Sequence, residues 1–221
     1  MNLSTLTEKR QILAFGDSLT WGATTNGRGR HPFEYRWTSV VEEQLPEVRV
    51  IAEGLPGRTT CFDDHSSVAD RNGARILPTL LSSHWPLDLV AIMLGSNDLK
   101  PHLCGKILGA RIGIERLVEI VQTYPYGDGA EIPKILIMSP PPFGPTAGGD
   151  QRPVGGRDIA ESERFAATYR EVAEQHACAF FDTAAIAKAA DVDGVHLDAA
   201  NTRAIGLAVA PVIAELLTLS P

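Results

Sequence analysis

QILAFGDSLTWG, residues 11–22, is an apolar run that stops at a glycine and passes at once to an acid, a serine and a threonine before apolar residues resume. Its first five residues suit a strand covered on both faces, because parallel strands inside α/β proteins read as continuous rather than alternating apolar runs. Asp17, Ser18 and Thr20 are all good helix starters. The stretch therefore reads as strand, turn, helix. Ser18 is then either a helix cap or a nucleophile presented at the end of a buried strand, and the rest of the chain must decide.

Four more short apolar runs follow, at 48–53, 88–94, 134–138 and 178–181. Between and after them, apolar residues recur at helical spacing over 35–45, 72–83, 106–123, 159–177 and 198–218. Asp198 can cap the last helix, whose stripe is Ile205, Val209, Val212 and Leu216; Pro211 inside it predicts a kink or a break. Strict β-α alternation implies an α/β fold, an open doubly wound sheet with right-handed crossovers. Such sheets bind ligands beyond the carboxyl ends of their strands. Two Gly- and Pro-rich segments, 23–34 and 140–157, read as loops, the second long enough to be a functional wall or a packing surface. The expected organisation is one domain over residues 1–221, with residues 1–10 a short N-terminal extension.

The chain has 221 residues, 44% of them hydrophobic and 21% charged, which is enough for one domain with a sizeable core. A net charge of −7 without a run of Lys or Arg argues against nucleic acid as a partner. No basic amphipathic stretch points to a membrane surface, and no window approaches the ~18 uninterrupted apolar residues of a spanning helix. The first residues lack the pattern of a secretory signal. Cys61, Cys104 and Cys178 are scattered and odd in number, so each reads as a reduced packing residue. These features lead to the expectation of a cytoplasmic protein.

The residues directly after the strands carry the chemistry. Acyl transfer needs a nucleophile, a base, an acid to orient the base, and donors aimed at the oxyanion. Ser18 follows the first run and can contribute its own backbone N–H. Gly57, in EGLPGRT after the second run, can offer another. Asn97, in GSND after the third, can offer a side-chain amide. His196, in DVDGVHLD after the fifth, is a candidate base, and Asp193 three residues before it can reach the far ring nitrogen.

These blocks, FGDSLTWG, EGLPGRT, GSND and DGVHL, occur in one order over residues 15–197. In them the chain resembles the SGNH hydrolases, also called the GDSL family. With SPPP after the fourth run, it is most similar to the bacterial arylesterase and acyltransferase branch. The resemblance implies a three-layer α/β/α sandwich around a five-stranded parallel, flavodoxin-like doubly wound sheet. It implies Ser18 as nucleophile, His196 as general base, Asp193 as its orienting acid, and an oxyanion hole of the Ser18 and Gly57 amides with the Asn97 side chain. It also implies a homo-oligomer and no metal or organic cofactor. The expected substrate is a small-molecule ester with short acyl or aryl groups, because the sequence shows no separate lid domain or large lipid-binding insertion, with transfer to alcohols or peroxide beside hydrolysis if the channel is apolar. Leu19, Trp21 and Val195 are the expected substrate contacts. Pro56 departs from the small polar residue common before the glycine.

Blander readings stand beside these. Asp17 reads as structural, Asp98 as a brace for its loop, and Asp182 as a turn residue and a rival for the role of orienting acid. Arg58 reads as a solvated or ion-paired surface group. Asp63, Asp64 and His65 are adjacent, which hinders convergence on one ion, so they read as a polar loop. His31, His84, His102 and His176 lack ligand spacing. No G-x-S-x-G, Walker A or G-x-G-x-x-G motif is present. The alternatives are a carbohydrate O-deacetylase of the same family and a non-enzymatic phosphate- or flavin-binding module.

Overall fold

The apolar runs are continuous because successive residues feed two different cores. In the computed structural model, which describes residues 9–149 and 152–218, strand β1 (Arg10–Gly16) sends Leu13 and Phe15 to one face and Ile12 and Ala14 to the other. Strands β2 (Val48–Gly54), β3 (Leu89–Met93), β4 (Lys134–Ser139) and β5 (Ala179–Asp182) complete one five-stranded, all-parallel sheet in the order β2-β1-β3-β4-β5. That is the flavodoxin-like order, with its switch point between β1 and β3. The expected N-terminal extension falls mostly on residues 1–8, outside the described residues, whereas Arg10 already belongs to β1 and pairs with Val48.

Helices cover both faces. The one-turn α1 (Ser18–Trp21) and α2 (Trp37–Gln44) come first, then α3 (Gly73–His84), α4 (Ile107–Thr123), α5 (Ile159–Ser162), α6 (Phe165–Gln175) and α7 (Ala199–Leu216). Leu77 and Leu81 of α3, Ile114 and Leu117 of α4, and Phe165 and Tyr169 of α6 pack on the Leu13/Phe15 face. Trp37 and Val41 of α2 with Ile205, Val209 and Ile213 of α7 pack on the Ile12/Ala14 face. The result is the expected three-layer sandwich.

Two expectations need correction. The helix foreseen at 159–177 is two, α5 and α6, because Ser162 is buried and turned inward: its hydroxyl donates to Ile159 O and accepts from Phe143 N. Of the kink or break expected at Pro211, the break does not occur: helix α7 runs through it to Leu216. Pro211 and Leu207, whose carbonyl would have bonded the missing N–H, are both exposed, so water can satisfy that carbonyl. Asp198 caps α7 by accepting from Asn201 N at 2.7 Å. Among the described residues α7 is the one helix whose length and mean hydropathy (1.2) would permit a membrane crossing, and its apolar stripe is instead packed on the sheet.

Candidate active site

Everything singled out after a strand lies along the carboxyl edge of this sheet. At the end of β1 there is no room for a side chain: a Cβ on Gly16 would collide with Thr20 Oγ1. Asp17 then caps α1, its Oδ1 accepting from Leu19 N at 2.9 Å, and Gly22 closes the turn in the left-handed region (φ 88°). Ser18 is thereby held at the start of a single helical turn with its hydroxyl directed toward the last loop of the chain.

That loop is built by one carboxylate. Asp193 Oδ1 accepts from Val195 N (2.9 Å) and His196 N (2.8 Å), curling residues 193–196 into a turn. Its Oδ2 accepts from His196 Nδ1 at 2.6 Å, and His196 Nε2 lies 3.1 Å from Ser18 Oγ. Burial works to raise the Asp193 pKa, but the hydrogen bonds from the His196 ring and from the backbone of His196 and Val195 outweigh it and hold the carboxyl below its usual range. Asp193 is therefore an acceptor at neutral pH, Nδ1 carries the ring proton, and Nε2 is free to accept the Ser18 proton. Asp182, the rival acid, is elsewhere: its Oδ1 accepts from Ala184 N and Ser139 Oγ.

Gly57 sits at the third position of a turn, Leu55-Pro56-Gly57-Arg58, closed by Arg58 N to Leu55 O at 3.0 Å. With φ of 87° at Gly57 and proline before it, this is the type II pattern. Pro56 thus sets the turn that aims the Gly57 N–H. Among the described residues no acceptor faces the N–H of Ser18 or of Gly57.

Asn97 is buried between opposite partners. Its Nδ2 donates to Arg58 O (3.0 Å) and Asp17 Oδ2 (3.2 Å), and its Oδ1 accepts from Arg157 Nη2 (2.9 Å). Beneath lies a layer of buried charge. Arg58 is 4% exposed rather than solvated: it stacks on Phe15 and donates to Gly16 O and Glu53 O, joining the ends of β1 and β2. Burial pushes the Asp17 pKa up to about 6 and that of Asp98 up to about 7. Asp98 does brace its surroundings, accepting from Thr60 N at 3.1 Å and from the Thr60 hydroxyl.

The three expected substrate contacts separate. Leu19 and Val195 are buried members of the two cores, on opposite sides of the sheet, and are packing residues. Trp21 is half-buried at the surface, its ring capped by Arg30 and its carbonyl accepting from Arg30 Nε at 2.7 Å. The long loops flank the site. In segment 23–34, a Cβ on Gly27 would lie 3.3 Å from His196 Cε1, and His31 Nε2 bonds Leu197 O at 3.0 Å. In segment 140–157, the N–H groups of Gly144, Ala147 and Val154 donate to the carbonyls of Gly194, Asp191 and Asp193.

Asp63 and Asp64 do not converge on one point. Asp63 pairs with Arg75, and Asp64 with Lys100 and Arg71. Among the described residues no three His, Cys, Asp or Glu side chains are grouped as metal ligands. Sequence reasoning missed Arg157 altogether and misplaced Arg58. Both are buried because they find backbone carbonyls at strand and loop ends, and nothing local in the sequence signals that.

Comparison with known proteins follows the same line. A family model described as the GDSL-like Lipase/Acylhydrolase family matches residues 14–204. A carbohydrate acetylesterase family member from Sinorhizobium meliloti is 47% identical, with 95% of this chain and 100% of that chain covered and a TM-score of 0.88. An Agrobacterium tumefaciens protein assigned as an arylesterase is 50% identical over 94% and 99%, with a TM-score of 0.90. The aryl esterase of M. smegmatis is 38% identical over 94% and 99%, at 0.84. A search of curated proteins finds no match.

Proposed function

The chain belongs to the GDSL-like lipase/acylhydrolase family and is a serine esterase, a carboxylic ester hydrolase, and we propose that Ser18, His196 and Asp193 carry its reaction. His196 Nε2 takes the proton of Ser18 as Oγ attacks the ester carbonyl. Asp193 holds the imidazole in the tautomer this needs and stabilises the imidazolium that forms. The N–H groups of Ser18 and Gly57 and one hydrogen of Asn97 Nδ2 receive the oxyanion. The 3.2 Å contact from Nδ2 to Asp17 is long for a bond to a carboxylate, so an oxyanion above Ser18 competes well for that hydrogen. His196 then protonates the leaving alkoxide or phenoxide, and water, activated by the same base, releases the acid from Ser18.

The observation that carries this reading is the chain of contacts from Ser18 Oγ to His196 at 3.1 Å and on to Asp193 at 2.6 Å. We assign short acyl or aryl esters as substrates, because among the described residues no connection between the strands and helices folds into a separate lid domain. Where the site excludes water, an alcohol or peroxide intercepts the acyl-serine. We further propose a cytoplasmic homo-oligomer, supported by three free cysteines and by apolar residues exposed on α4 and α7 (Leu108, Ile112 and Leu207); fractionation and sedimentation test it.

The test is p-nitrophenyl acetate hydrolysis by wild type and Ser18→Ala, with folding checked by circular dichroism. Loss of activity in a folded variant is expected; retained activity refutes the nucleophile. A second reading, a carbohydrate O-deacetylase, is favoured by the Sinorhizobium meliloti relative. Acetylated sugars hydrolysed with a kcat/KM above that for aryl acetates would select it.

A further inference from the structure

We propose that Arg157 is a positioning residue that fixes which end of the Asn97 amide faces the reaction; this rests on reading Asn97 as an oxyanion donor. A carboxamide has a donor end and an acceptor end, and a half-turn about its last bond exchanges them. Presented to an oxyanion, the NH2 end stabilises the charge and the carbonyl end repels it. The orientation therefore depends on what meets the NH2 and on what holds the other end.

Arg157 holds it. A guanidinium only donates, so the Asn97 atom 2.9 Å from its Nη2 must be the oxygen. On the opposite side Arg58 O and the Asp17 carboxylate only accept, so the atom facing them must be the NH2. The neighbouring Nε of Arg157 donates to Ser96 O, also at 2.9 Å, so one edge of the fork grips the backbone and the side chain of consecutive residues. Its Nη1 donates to Val154 O, and the guanidinium lies over the Phe143 ring at 5.6 Å. Arg157 is only 6% exposed, and its bonds to Ser96 O and Asn97 Oδ1 are both buried. A lysine keeps the charge but cannot make the paired contact along one edge.

The segment that supplies Arg157 is the same one whose amides hold Asp191, Asp193 and Gly194. Gly144, Ala147 and Val154 therefore touch the base side of the site through their backbone, and Arg157 touches the oxyanion side through its side chain.

The experiment compares kcat and KM for p-nitrophenyl acetate in Asn97→Ala, Arg157→Gln, Arg157→Lys and the Asn97→Ala/Arg157→Gln double variant. Each is checked for folding. Removing an oxyanion donor costs roughly 100- to 1000-fold in kcat, so misorienting one is expected to cost roughly 10- to 100-fold in both Arg157 variants. KM is expected to stay at the wild-type value. In the double variant the Arg157 change is expected to add less than about threefold, since no amide is left to orient. Full additivity, a wild-type kcat in Arg157→Gln, a lysine variant equal to wild type, or a loss confined to KM each overturns the proposal. A wild-type kcat in Asn97→Ala refutes the donor reading of Asn97 instead, and this inference with it. If Arg157→Gln does not fold, Arg157→Met keeps the stem over Phe143 and takes its place in the cycle.

Discussion

Asp98 offers the most direct test of the buried charge beneath the site. It lies fully inside, accepting from the backbone and hydroxyl of Thr60, and burial pushes its pKa from 3.8 to about 7. The folded protein thus holds this proton more tightly than the unfolded chain does. Its contribution to stability is most favourable below pH 3.8 and is lost as pH rises toward 7. At about 1.4 kcal/mol per pH unit, the interval corresponds to about 4 kcal/mol. The carboxamide introduced by Asp98→Asn does not titrate. It keeps one oxygen for Thr60 but turns an NH2 toward the Thr60 N–H, a cost of about 1–3 kcal/mol that does not depend on pH. The variant is therefore expected to be the less stable protein near pH 4 and to gain on wild type by about 4 kcal/mol by pH 8. Urea unfolding followed by tryptophan fluorescence, to which the buried Trp37 contributes, measures both proteins across that range. Slopes from carboxylates that do not interact with Asp98 are shared and cancel in the difference. A difference that stays flat from about pH 4.5 to 8.5 refutes the reasoning.

Asn97→Ala is expected to lower kcat for p-nitrophenyl acetate by roughly 100- to 1000-fold with KM little changed, as steady-state kinetics will show. Gly57→Ala places a Cβ 2.5 Å from the Arg71 guanidinium at a φ of 87°; a cost of about 1–2 kcal/mol should appear as a melting temperature about 2–8 °C lower, with reduced kcat. Asp193→Asn should reduce kcat on the order of 10^4-fold by releasing the His196 tautomer. Because the Asp193 pKa is depressed in the folded protein, its carboxylate contributes stability above its unfolded pKa of about 3.9 that is lost as pH falls through the folded value. The stability gap between wild type and that variant should accordingly narrow in acid, as chemical denaturation at stepped pH will report.

Much of this architecture is legible from residue order because both-face burial leaves a simple mark. Leu13 and Phe15 against Ile12 and Ala14 give an unbroken apolar run, and five such runs give the sheet. The order of blocks along the chain points to Ser18, Gly57, Asn97 and His196 because strands of a doubly wound sheet deliver their next residues to one edge. Pro211 misleads because a proline at the exposed face of a helix frees a carbonyl that water satisfies. Leu19 and Val195 mislead because apolarity alone does not separate a core from a pocket wall. Arg58 and Arg157 are illegible for a deeper reason. An arginine is buried only where fixed acceptors await it, and here those are carbonyls brought in from residues 16, 53, 96 and 154 by the completed fold.

Ser18 and His196 stand 178 residues apart in the chain, and the base reaches the nucleophile only while residues 190–197 remain docked. That loop is held by hydrogen bonds from Gly144, Ala147 and Val154, by the His31 ring on Leu197 O, by bonds within itself and by the burial of Val195 and Leu197, whereas Asp17, Ser18 and Asn97 follow directly on the central strands of the sheet. Local opening of such a loop costs less free energy than global unfolding. Heat or mild denaturant will therefore silence the enzyme reversibly before the sandwich melts, and the temperature of inactivation, rather than that of denaturation, marks the working limit of the molecule.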